Sequence, residues 1–95
     1  MRFEWDAAKA TSNLAKHGVS FETATRVFAD PLARTEQDRI EGGEYRSQTI
    51  GMIDGALVLV VAHADREESG DDVVRIISAR PARPKEKRRY EQENR

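Results

Sequence analysis

Apolar and polar residues alternate over Phe3-Glu4-Trp5, which predicts a short edge strand, and Asp6 then offers an N-cap for a helix that runs from Ala7 to about His17. Gly18 supplies the left-handed residue past that helix end, with Lys16 and His17 in the last turn where cations complement the dipole. Ser20 caps a second helix whose apolar stripe is Phe21, Ala24 and Phe28, and Asp30-Pro31 ends it.

From about Ala33 the period changes to that of strands. Ala33 to Asp38 predicts a short strand, Glu41-Gly42-Gly43 a turn, and Glu44 to Ile53 a longer strand closed by the hairpin signal Asp54-Gly55. Ala56 to His63 is apolar at both parities, as a central strand is. A polar loop over Asp65 to Asp72 is expected before a last strand, Val73 to Ala79, and Pro84 opens a terminal helix to about Asn94. The order implies an α+β fold, a small antiparallel sheet with two N-terminal helices and one C-terminal helix packed on it. Helices against one sheet face would leave the opposite face free to make a site.

Ninety-five residues with 38% hydrophobic content allow one domain, residues 1–95, with one core. No cysteine is present, which excludes a disulfide scaffold and a thiolate metal site. No His, Asp or Glu set has metal-ligand spacing and no glycine-rich loop opens a helix, so neither a metal nor a nucleotide cofactor is expected. The N-terminus lacks a signal-peptide run and the longest apolar run, Ala56 to Ala62, is too short for a bilayer, so a cytoplasmic protein without membrane contact is expected.

The net charge of −1 hides a segregation. Arg75, Arg80, Arg83, Lys85, Lys87, Arg88, Arg89 and Arg95 face only Glu86, Glu91 and Glu93 near the C-terminus, while the acids concentrate at Glu36 to Glu44 and Asp65 to Asp72. A basic end on a neutral chain binds a polyanion locally. Within the last strand, Arg75 and Arg80 must each find an anionic partner or a solvent-filled site. Five residues apart in a regular strand, they would point to opposite faces and do different jobs, one reaching a phosphate and the other pairing with a carboxylate or capping the next helix.

Phe3-Glu4-Trp5-Asp6, then Lys9, Asn13, Lys16-His17-Gly18-Val19 and Phe21, resemble the opening of BrnT-type toxins. Ala24, Phe28 and Asp30, Gly43-Glu44 with Arg46, Gly51, and Arg75-Ile76-Ile77-Ser78-Ala79-Arg80 followed by Glu86 and Tyr90 agree in order, so the resemblance covers nearly the whole chain. It implies a RelE-like fold and a ribonuclease toxin of a type II toxin-antitoxin system. It also implies metal-independent RNA cleavage, inhibition of translation and growth, and neutralisation by a BrnA-like antitoxin. That partner would carry a ribbon-helix-helix region, operator DNA would be reached only through it, and a heterotetramer is one form the complex can take.

Cleavage by the ribose 2′-hydroxyl needs a base, cations for the charge on phosphorus and an acid for the leaving oxygen. His17 can serve as acid or base near neutral pH. An ammonium such as Lys16 does so only where burial or cationic neighbours favour its neutral form, and it points elsewhere on the helix. Arg46, Arg66, Arg75 and Arg80 are the candidates for phosphate binding. The competing readings are a helix-end cap for His17, an intrastrand pair with Glu44 for Arg46, and a surface pair in an acidic loop for Arg66. His63 is a weaker alternative base. Trp5 is a candidate base-stacking platform as well as a core residue, and Lys9 is a candidate RNA contact that can also share one hydrogen-bond network with Asn13. Arg83, Lys85, Arg88 and Arg89 are candidate RNA backbone contacts on what is otherwise a solvated helix. A binding module without catalysis, or direct DNA binding by the terminal helix, would use the same residues.

Overall fold

In the computed structural model, which describes residues 1–94, the chain forms β1 (Arg2–Trp5), α1 (Ala7–His17), α2 (Phe21–Thr25) and a 3₁₀ turn (Arg26–Ala29). These are followed by β2 (Arg34–Glu41), β3 (Glu44–Ile53), β4 (Leu57–Glu68), β5 (Asp71–Pro81) and α3 (Pro84–Glu93). The strands lie in the order β1-β5-β4-β3-β2. β2 through β5 form the expected antiparallel meander, and β1 adds to it in parallel beside β5.

The caps behave as their chemistry requires. Asp6 Oδ1 accepts from the Lys9 N–H at 3.1 Å, Ser20 Oγ from the Thr23 N–H at 3.0 Å, and Gly18 closes α1 with a φ of 70°. The second helix differs from expectation: it stops at Thr25, and Phe28 lies on the 3₁₀ turn that continues it.

The expected loop over Asp65 to Asp72 is instead an extended hairpin that turns at Ser69-Gly70, with φ values of 53° and 79°. Its polar composition hides strands because the cross-strand partners Glu67–Asp72 and Glu68–Asp71 are like-charged. β1 supplies the compensation. Arg2 pairs with Glu68 at 3.3 Å and the N-terminal ammonium with Asp71 at 3.2 Å. β2 likewise runs on to Glu41, past the expected Asp38.

Leu59, Val61, Val74, Ile76 and Ala79 of the sheet pack with Val19, Phe21, Ala24 and Val27 to form the core. Gly51 permits the closest approach, since a Cβ there would meet Val27 Cγ1 at 2.7 Å. α1 and α2 thus cover one face. The third helix does not join them: its Glu86, Arg89 and Tyr90 stand against Arg34, Gln48, Ile50 and Val60, which alternation puts on the opposite face. Arg80 clamps Glu86, and the buried Tyr90 hydroxyl donates to Asp30, so α3 is held across one end of that face. Burial and the Asp30 carboxylate push the Tyr90 pKa up to about 12.

Candidate functional site

The uncovered part of the second face is a trough. Its floor on β4 is Ala62 and the fully buried Ala64, two small side chains, with Gln48 and Arg46 of β3 on one side and Ser78 and Arg75 of β5 on the other. α3 closes one end.

At the other end charges of both signs meet. Arg75 Nη2 donates to Glu44 Oε1 at 2.7 Å, and Arg66 Nη1 lies 3.7 Å from Glu44 Oε2. Arg66 also donates to Glu68 at 2.9 Å and contacts Glu4, whose Oε1 is buried and lacks a well-aligned hydrogen bond. Its hydrogen bond to the Glu68 carboxylate and the adjacent Glu4 carboxylate raise the Arg66 pKa, so its guanidinium is charged throughout the working pH range. Arg46 stands on the same face, makes no ion pair among the described residues, and has a buried Nε without a partner. An unpartnered buried guanidinium atom is costly and invites an anion.

Three of the four candidate phosphate-binding arginines therefore converge. Arg66 is on a strand and not in a loop, and Glu44 engages Arg75 and Arg66 and not Arg46. Arg75 and Arg80 share one face, contrary to the expectation from their spacing, because Ile77 is an extra residue in β5: Ser78 opposes Ala62 while Ile76 opposes His63. Both arginines pair with carboxylates, Arg75 with Glu44 at 2.7 Å and Arg80 bidentately with Glu86 at 2.7 and 2.9 Å. That hydrogen-bonded pair holds the Glu86 carboxyl at about 2. Glu4 and Glu44 were not legible as members of one cluster, because nothing in sequence spacing announces the parallel pairing that sets Glu4 beside Arg75.

A second groove lies at the edge of β5, where β1 ends at Trp5. Asn13 takes over from the missing strand: Nδ2 donates to Ala79 O at 2.8 Å and Val19 O at 3.0 Å, and Oδ1 accepts from the Ala79 N–H at 3.1 Å. This occupies the amide, so Asn13 forms no network with Lys9. Lys9, Lys16 and His17 line the groove together with Ser12, Ile77 and Ser78. Lys16 and His17 thus share a surface that the helix positions alone argued against. Ser78 belongs to both this groove and the trough.

Other candidates lie elsewhere. Trp5 is half-buried edge-on against Phe21, ring centroids 6.0 Å apart, as part of the core and not as a free stacking platform. His63 is buried on the helix-covered face, with Nδ1 2.6 Å from Asp65 Oδ1, Nε2 2.8 Å from Thr49 Oγ1 and Phe28 edge-on. That placement removes it from the trough. Arg83, Lys85, Arg88 and Arg89 are exposed on or before α3; Arg89 pairs with Glu93 and Glu36, and the Arg83 N–H donates to Glu86.

No helix of the described residues is long and apolar enough to cross a membrane. No curated protein matches the chain. Among solved structures it is similar to the Brucella abortus ribonuclease toxin BrnT, with 25% identity and a TM-score of 0.62 over 87% of this chain and 97% of that one. The family described as ribonuclease toxin, BrnT, of type II toxin-antitoxin system matches residues 5–86, and the expected α+β fold is the one that this family's crystal structure shares. With most of its length matched, this chain belongs to the BrnT family of ribonuclease toxins.

Proposed function

We propose that the trough cuts single-stranded RNA without a metal. The observation that carries this reading is the convergence of Arg46, Arg66 and Arg75 around Glu44 on one open sheet face. The arginines hold the scissile phosphate and the charge that grows on it, and Arg46, which makes no ion pair among the described residues, engages it first. Glu44 takes the 2′-hydroxyl proton, the oxygen attacks phosphorus, and the bond to the 5′-oxygen breaks as that oxygen receives a proton. His17, across Ser78 from the trough, is the candidate acid, with Lys16 and Lys9 beside it as cations for the flanking backbone. Arg80 is a structural clamp in this reading, and Arg83, Lys85, Arg88 and Arg89 extend the basic surface for RNA. The products carry 2′,3′-cyclic phosphate or 3′-phosphate ends.

The toxin family supports an antitoxin partner and an RNA target. We further propose a BrnA-like ribbon-helix-helix antitoxin, assembled with the toxin as a heterotetramer, through which alone operator DNA is reached. Free toxin in the cytoplasm would inhibit translation and growth. Incubating purified protein with RNA in EDTA tests the chemistry: cleavage to cyclic-phosphate ends is the expected result. Activity lost in EDTA and restored by magnesium would overturn it, and intact RNA beside folded protein would favour a binding module without catalysis.

A further inference from the structure

Between α3 and the trough lies a cavity of about 90 Å³. Val60, buried, and Ile50, half-buried, give it an apolar floor, and the exposed Gln48 forms a wall. The charges at its rim cancel locally. Arg34 pairs with Glu93 at 3.0 Å, Glu36 with Arg89 at 2.9 Å, and Glu86 with Arg80 at 2.7 Å. A phosphate gains little in such a place, whereas a flat uncharged group does. Gln48 is exposed there, so its amide offers an acceptor and two donors at the wall.

Position completes the case. Gln48 is two residues from Arg46 on the same face of β3, roughly 7 Å along the strand, within one nucleotide's reach of a phosphate held at Arg46. Apolar contact below and hydrogen bonding at the edge are how single-stranded RNA bases are read. We infer that this cavity receives one nucleobase of the RNA and that Gln48 reads its hydrogen-bonding edge, which would make it the subsite that fixes where the chain is cut. The inference rests on the trough as the RNA site.

The test is binding, separate from cleavage. The four nucleoside 3′-monophosphates and inorganic phosphate are titrated into the whole protein, and the methyl resonances of Ile50 and Val60 are followed by NMR. One or more nucleotides should shift both methyls, inorganic phosphate should not, and Gln48→Ala should weaken the favoured nucleotide at least roughly tenfold. In RNA digests the same variant should flatten the base preference at one fixed position beside the cut. Occupation of the cavity without any RNA cleavage would leave the subsite standing and sink the catalytic reading. Cleavage with silent methyls and an unchanged cutting pattern in Gln48→Ala would overturn the subsite alone. Methyl shifts produced by the antitoxin and by no nucleotide would overturn it too, and assign the cavity to a protein side chain.

Discussion

Arg75 faces Ala64 and Arg80 faces Val60, so the two arginines stand on the same side of the sheet although five residues separate them. A single extra residue, Ile77, makes the difference by resetting the alternation of β5. One arginine then enters the trough and meets Glu44, while the other meets Glu86 of α3. Shared orientation does not mean shared work.

Their alanine variants should separate. Arg75→Ala removes a charge-assisted contact to the transition state worth about 1.5–3 kcal/mol, so RNA cleavage falls at least roughly tenfold while the melting temperature changes little. Arg80→Ala strands the Glu86 carboxylate and should cost about 1–3 kcal/mol of stability, with cleavage retained by the folded fraction. Melting and cleavage measured on both variants decide the assignment, and an unstable Arg75 variant beside an inactive, stable Arg80 variant would reverse it.

Glu44→Gln preserves shape and a hydrogen bond to Arg75 while removing the proposed base. The expected loss is on the order of a hundredfold or more in cleavage, with RNA still bound. A Gln variant that cuts at the normal rate would move the base elsewhere, to Glu4 or His17.

Acid should expose the clamp between β5 and α3. The Glu86 carboxyl sits at about 2 against an ordinary 4.5, so its ionised form stabilises the fold fully above pH 4.5, and that stability is lost as pH falls toward 2. Glu86→Gln should lower the melting temperature at pH 7 and flatten the acid limb of the stability curve over that window. Parallel curves for the variant and the parent would disprove the coupling.

Asn13 holds three backbone groups with one amide. Asn13→Ala leaves two carbonyls and one N–H without those bonds, a loss of about 2–4 kcal/mol. Urea unfolding measures it directly, and a variant within about 0.5 kcal/mol of the parent would mean that water replaces the amide at no cost.

Much of the fold could be read from local chemistry. Asp6, Ser20, Gly18, Asp54-Gly55 and Pro84 marked their boundaries because each acts within a few residues of itself. The acidic hairpin and the face taken by α3 could not be read, since both depend on distant partners: Arg2 and the N-terminus for the first, and Asp30, which holds Tyr90, for the second. The candidate site follows the same division. Arg46, Arg66 and Arg75 stood out as charged residues in strands, whereas Glu4 and Glu44 acquired meaning only when the strands were paired. The bulge at Ile77 was invisible, because one inserted residue leaves no mark in an apolar run.

Because β5 lies between β1 and β4, the sheet is completed only when the first and last strands are present together. Glu4 and Arg75 are neighbours across that seam, separated by most of the polypeptide. During synthesis, everything through Arg66 emerges before its β5 partners exist. The complete arginine-carboxylate cluster therefore cannot assemble until β5 has been made, so the proposed RNA-cutting surface forms only after every strand of the sheet has emerged.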